Sequence, residues 1–288
     1  MWDLRRLSAV IAAVICVATG VMLGPGVTSA APGPTPAVAN YVALGDSRAL
    51  SPTWFSPLNG CGATDGAYPV ALAGLLHARS TVNRACVNAT AANVVDTRQL
   101  TTHGYVPPQV DALRPTTDLV TISIGGNDMG WWEAISACFS NIPGKDVRCR
   151  NDPAIRSRID ARLAVVSGRI ERVLDAVEKR APNATAVVVG HGGYFGTTGC
   201  AQANASSADL AFINSTLFGG LNGELRTAAQ RHHARYIDVM AGAVGHDVCA
   251  GRQAWFQGNR PDSSYQVRHP NARGGKGIAE LIARQLRG

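Results

Sequence analysis

The stretch Tyr41 to Leu50, "YVALGDSRAL", decides the reading of this chain, because an apolar run stops abruptly at Gly45-Asp46-Ser47. A short apolar run bounded by a turn signal reads as a buried strand. A serine just past its carboxyl end sits where α/β sheets place their ligands. That position suits a nucleophile, and it suits an ordinary helix N-cap equally well. The rest of the sequence has to separate the two.

Further apolar runs follow at "STVNRACV" (80–87), "DLVTISI" (118–124), "TAVVVG" (185–190) and "ARYIDVM" (234–240). Between the third and fourth of these five runs, "AIRSRIDARLAVVSGRIERVLDAVEKRAP" (154–182) carries Ile155, Ile159, Leu163, Val166, Ile170, Val173, Leu174 and Val177 at three- and four-residue steps. This spacing predicts an amphipathic helix. A weaker, glycine-containing helix is expected over 216–233, and another over 274–288. Short β-rich runs separated by helices imply parallel strands with crossover connections, hence a three-layer α/β/α sandwich with a mostly parallel five-stranded sheet. No internal repeat or interdomain linker interrupts the pattern.

The first 30 residues place Arg5 and Arg6 ahead of a long apolar segment and end in small residues at Thr28 and Ala30. They read as an export signal, with an uncleaved anchor as the alternative. Cys16 lacks the preceding small residue of a lipoprotein attachment site. Residues 31–38 read as a flexible, proline-rich mature terminus, and 39–288 as a single domain. Loss of Asp3, Arg5 and Arg6 with the signal changes the net charge from +7 to +6, and the basic residues are scattered. Nucleic-acid reading needs a clustered patch or aromatic platform, and neither is present. Beyond the signal stand Cys61, Cys86, Cys138, Cys149, Cys200 and Cys249, an even set in an exported chain, which predicts disulfides with fifteen pairings open. None has the CxxC spacing of a zinc or redox site, so no metal is expected.

On a parallel sheet the segments following the strands converge along one edge. That brings together "GDS" (45–47), "NRACVNAT" (83–90) and "IGGND" (124–128), with "RHPNARGG" (268–275) ahead of the last helix. Acyl transfer needs a nucleophile, a base and donors aimed at a developing oxyanion. Ser47 offers a hydroxyl, with its own N–H at a strand-to-helix turn. Asn127 offers an amide donor, Gly125 and Gly126 permit close backbone approach, and His269 offers an imidazole suited to general-base work.

These four blocks, in this order, resemble the SGNH (GDSL-type) hydrolases, and among them secreted actinobacterial esterases and lipases with three disulfides. The resemblance covers most of residues 38–288. It implies a flavodoxin-like sandwich, Ser47 as nucleophile, Asn127 and backbone N–H groups as oxyanion hole, and His269 as base. It also implies the pairing Cys61–Cys86, Cys138–Cys149 and Cys200–Cys249. Three positions depart from the family pattern. Asn88 stands where an oxyanion-hole glycine is usual; its N–H survives, and asparagine tolerates positive φ. Arg48 replaces an aliphatic or aromatic residue after the serine, and either brings a cation to the pocket rim or points to solvent. Gln266 occupies the position of the aspartate that often orients the histidine, which implies a Ser-His dyad with the Gln266 main-chain oxygen, or alternatively Asp262, as orienter.

Other candidates read as structural. Asp46 and Asp128 brace their turns, His191 in "GHGGYFG" reads as a loop residue near the rim, and His246 as locally packed; His77, His103, His232 and His233 read as surface or helix positions. Trp131 and Trp132 wall an acyl pocket or belong to the core. Neither "GHGGYFG" nor "GGKG" completes a nucleotide-binding motif. The expected function is an exported serine esterase or lipase with no cofactor, acting on a small-molecule or lipid ester. A carbohydrate O-acetyl esterase is the alternative within hydrolases, and a non-catalytic ligand-binding protein on a hydrolase scaffold the alternative from another class. Neither acyl length nor oligomeric state is legible.

Overall fold

In a computed structural model, the residues described are 38–55, 60–259 and 264–287. The export signal, residues 31–37 of the expected flexible terminus, and Asp262 lie outside them. The chain order is β1 (Asn40–Gly45), α1 (Tyr68–Leu76), β2 (Ser80–Asn83), α2 (Ala91–Val95), β3 (Gln99–Thr101), β4 (Gly104–Val106), β5 (Leu119–Ser123), α3 (Trp131–Ile135) and α4 (Pro153–Arg180). There follow β6 (Thr185–Val189), α5 (Ser207–Phe212), a π-helical segment to Phe218, α6 (Gly219–Arg231), β7 (Arg235–Ile237), α7 (Val239–Gly242) and α8 (Ala272–Arg287).

The five strands expected from the apolar runs form one parallel sheet in the order β2-β1-β5-β6-β7, while β3 and β4 form a separate antiparallel hairpin that periodicity did not signal. β5 is buried along its whole length, and β1 from Tyr41 onward, as fits strands covered on both faces. α1 packs on α8; α4 packs on α2 and α6. α4 matches its expected span closely: Asp152 caps it by accepting from Ala154 N–H, Pro153 opens it, and its apolar positions are buried from Ile155 to Val177.

Two segments differ from expectation. "STVNRACV" holds its strand only through Asn83: Arg84 and Cys86 still donate their N–H groups to Ala43 and Gly45 of β1, but the Asn83 side chain takes the Ala85 N–H and the chain turns toward the Cys61–Cys86 bridge. "ARYIDVM" yields a three-residue strand, since Asp238 caps α7 through the Ala241 N–H. All three disulfides join neighbours in cysteine order: Cys61–Cys86, Cys138–Cys149 and Cys200–Cys249. Among the described residues no helix is long and apolar enough to cross a membrane.

The strand order reverses between β1 and β5: from β1 the chain crosses to β2 on one side, then to β5 on the other. Loops after these two strands diverge and leave a crevice at the carboxyl edge. Ser47 follows β1 and Asn127 follows β5, so the topology alone puts both at this edge.

Candidate active site

Gly45 ends β1 with φ +145°, and a Cβ built there would lie 2.2 Å from the Ser123 carbonyl oxygen. Only glycine lets β1 and β5 approach so closely at the point where the chain turns. Asp46 then donates its N–H to the Ser123 oxygen (2.9 Å), and its carboxylate accepts from Arg48 N–H (2.9 Å), so Ser47 is held at the apex. Buried Gln109 clamps the same peptide from the side: its Oε1 accepts from Gly45 N–H at 2.7 Å and its Nε2 donates to Gly45 O at 2.8 Å. Nothing in "PPQV" announces this role. The turn after Ser47 is one 3₁₀ turn, residues 47–49, and not the α-helix that a strand-to-helix turn implied.

His269 comes from an extended segment that pairs with residues 255–257: Gln257 N–H donates to His269 O (2.9 Å) and Arg268 N–H to Gln257 O (2.7 Å). Asn271 ends this segment as the cap of α8, accepting from Gly274 N–H and donating to Ala254 O. The two scattered segments meet with Ser47 Oγ 2.7 Å from His269 Nε2. On the other side of the ring, Nδ1 donates to the Val267 carbonyl oxygen at 2.9 Å, which fixes Nε2 as the lone-pair nitrogen. The sequence pointed to the carbonyl of Gln266; that oxygen instead accepts the His269 backbone N–H at 3.3 Å, and the Gln266 amide donates to Thr53 O. With the His269 backbone N–H held by residue 266, the ring sets its Nδ1 against the carbonyl of residue 267. Asp262 lies outside the described residues.

Burial lowers the His269 pKa to about 4, with the cations of Arg48 and Arg268 pushing the same way and the Val267 hydrogen bond opposing. The imidazole is therefore neutral at ordinary pH and able to accept the serine proton.

Asn88 adopts the left-handed conformation that its substitution for glycine requires, with φ 63°. Among the described residues, neither the Ser47 N–H nor the Asn88 N–H is bonded to another group of the protein. Asn127 Nδ2 donates to Ala89 O at 2.9 Å, which uses one of its two N–H bonds and fixes the amide plane. Asp128 ties the two loops together: its carboxylate accepts from Ala91 N–H (3.0 Å) and pairs with Arg169 (3.5 Å), although burial raises its pKa.

A cleft of about 610 Å³ opens over the pair, lined by Ser47, Asn88, Asn127 and His269 together with Trp54, Trp131, Trp132 and Arg268. Trp131 both faces this cleft and stacks on Tyr194 (5.8 Å). A second cavity of about 450 Å³ beside Cys200–Cys249 touches neither Ser47 nor His269. Three expectations need correction. Gly126 is buried away from the cleft, and a Cβ there would strike the His191 ring at 2.6 Å; the glycine serves packing, not substrate approach. His191 is not at the rim: it is 3 % exposed, its pKa driven well down by burial, with Nε2 3.9 Å from an Asp46 oxygen. Arg48 neither reaches the rim nor points to solvent. It is 3 % exposed, its guanidinium lies 4.8 Å over Tyr194 and 5.7 Å from the Phe256 ring, and it donates to Gly190 O and Gly192 O. Beside it burial raises Asp46 to about 7. Trp54, Gln109 and Arg268 are members of the site region that the sequence did not single out.

A hydroxyl at hydrogen-bond distance from a neutral imidazole, with free N–H groups beside it, is the arrangement acyl transfer needs. Lipase 2 of Streptomyces coelicolor is 31% identical over 298 residues, covering 96% of this chain and 95% of its own. A lipase of Streptomyces rimosus is 29% identical over 254 residues, covering 86% of this chain and 87% of its own. The crystal structure of the extracellular lipase from Streptomyces rimosus superposes with a TM-score of 0.67 at 25% identity, over 87% of this chain and all of that one (100%). Phospholipase A1 from Streptomyces albidoflavus shares the fold, with a TM-score of 0.66 at 24% identity, 88% of this chain and 100% of that one being covered. The model of the GDSL-like lipase/acylhydrolase family matches residues 43–276, and the chain belongs to that family of ester hydrolases.

Proposed function

We propose that this enzyme is an exported serine esterase or lipase that hydrolyses carboxylic esters through an acyl-enzyme on Ser47. His269 Nε2 takes the Ser47 proton as Oγ attacks the ester carbonyl. The carbonyl oxygen becomes an oxyanion, held by the N–H groups of Ser47 and Asn88 and by the remaining N–H of Asn127 Nδ2. Collapse of the tetrahedral intermediate breaks the bond to the alkoxy oxygen, which leaves with the proton from His269. Water, deprotonated by the same nitrogen, then attacks the acyl-enzyme and returns Ser47 to its hydroxyl form. The Val267 carbonyl holds the imidazole tautomer throughout, so the machinery is a dyad supported by a peptide dipole.

The observation that carries this reading is the 2.7 Å approach of Ser47 Oγ to His269 Nε2 from segments 222 residues apart. Export is supported by the three disulfides, which persist in oxidising compartments, and by likeness to an extracellular lipase. The test is turnover of a soluble ester by Ser47→Ala. The variant is expected to lose activity by on the order of a thousandfold or more with its unfolding midpoint preserved. Turnover close to that of the parent contradicts the proposal.

A further inference from the structure

We infer that Arg268 forms an anion subsite within the cleft, which takes a phosphodiester or carboxylate group carried on the alcohol half of the ester. The inference rests on the Ser47–His269 reading and goes beyond it by naming a feature of the substrate.

Four observations carry it. Arg268 lines the cleft beside His269, and its guanidinium lies 3.6 Å from the Trp132 ring centroid. Its Nη2 donates to Asn259 Oδ1 at 2.7 Å and its guanidinium lies 5.6 Å from the Phe139 ring, so the group is held without a counter-charge among the described residues. Its Nε is buried with no hydrogen-bond partner, and among the described residues no carboxylate lies within ion-pair distance of it. Its backbone is held at φ 62°, an uncommon conformation for a non-glycine residue, which fixes the direction in which the side chain leaves the segment.

Of the two acidic groups in the same cleft, Asp128 is engaged elsewhere, and the exposed Glu133 makes no ion pair with Arg268. Asp128 is bonded to Ala91 N–H and Arg169. Glu133 and Arg162 both gather around Gly130, where Arg162 also donates to the Met129 and Gly130 carbonyls. A half-buried cation with no carboxylate partner among the described residues is costly, and that cost is offset when an anion in the cleft reaches the guanidinium through nitrogens other than the sealed Nε. Burial lowers the Arg268 pKa to about 10, which leaves the group charged at neutral pH. The side of the substrate is argued from the mechanism: His269 hands its proton to the leaving alcohol, and Arg268 lines the same cleft as His269. The planar guanidinium suits two-pronged recognition of carboxylate or phosphate oxygens.

The test compares kcat/KM for three butyryl esters: butyryl glycerol, the same ester bearing a methyl phosphodiester on the glycerol, and the butyryl ester of glycerate. The parent is expected to prefer at least one anionic ester over the neutral one by about tenfold or more, and the favoured one identifies the anion as phosphodiester or carboxylate. In Arg268→Gln that ratio is expected to fall toward one, while Arg268→Lys keeps a several-fold preference that fades as salt is raised. Because each ratio is taken within one protein sample, partial misfolding of a variant cancels. A ratio near one in the parent, or an unchanged ratio in Arg268→Gln, overturns the inference. Failure of the parent on all three esters, together with a Ser47 that does not react with an organophosphonate, defeats the esterase reading instead.

Discussion

The carbonyl oxygen of Val267 lies 2.9 Å from Nδ1 of His269, so a neutral peptide group occupies the place of the carboxylate that completes a catalytic triad. A carbonyl orients the ring and selects its tautomer, but it stabilises the imidazolium less than a carboxylate does.

This relationship has a kinetic signature. A base must be unprotonated in the free enzyme, and burial, reinforced by Arg48 and Arg268, lowers the His269 pKa to about 4. As pH falls, kcat/KM for a neutral ester is expected to hold through pH 5 and decline with an inflection near 4. Asp46, raised to about 7 by burial, is not the base, so Asp46→Asn is expected to leave the inflection near 4 in place. A single acid limb at the ordinary histidine value near 6.5, retained in Asp46→Asn, contradicts this account.

Arg48 supplies a second handle on the same profile. Its cation is buried one residue from Ser47, packed against Tyr194 and Phe256, and Phe256 pairs with Pro270 beside His269. Arg48→Met removes the charge while keeping an apolar stem, so the acid limb is expected to move to higher pH by about half a unit to one unit. Arg48→Lys is expected to leave it in place. An identical limb in parent and Arg48→Met removes Arg48 from the electrostatics of the site.

Asn88 separates backbone from side chain. Its φ of 63° is open to glycine at little cost and strains a β-branched residue. Asn88→Gly keeps the N–H and is expected to hold kcat within about threefold, whereas Asn88→Val is expected to lose about 1–3 kcal/mol of stability and a tenfold or greater part of its rate. Urea midpoints and initial rates on both variants check this. Severe loss of rate in Asn88→Gly means that the side chain, not the N–H, does the work.

Much of this molecule was legible in its sequence, and the limits have physical causes. Apolar runs at β1, β5 and β6 and the periodic face of α4 announced themselves because each is dictated by burial of one surface. That Ser47, Asn127 and His269 meet in one cleft was legible because a parallel sheet gathers the segments that follow its strands at one edge. The Val267 acceptor was placed one residue off because every residue carries a carbonyl, and only the path of the chain decides which one faces Nδ1. Arg48 was misplaced because a cation is normally assigned to the surface, while here two backbone carbonyls and two aromatic rings surround it. Gly126 was assigned to substrate approach because a glycine does not reveal which neighbour needs the space; that neighbour is His191. Gln109 reached the Gly45 peptide from 64 residues away, a pairing that no local pattern encodes.

The central claim is that the Ser47 hydroxyl is activated by His269, and covalent labelling tests it most directly. Incubation with an aryl-ester phosphonate, followed by peptide mass spectrometry, is expected to give one adduct, on Ser47, in step with loss of esterase activity, and none in His269→Ala over the same time. Full inactivation with Ser47 unmodified, or labelling of Ser47 at the same rate without His269, contradicts the account.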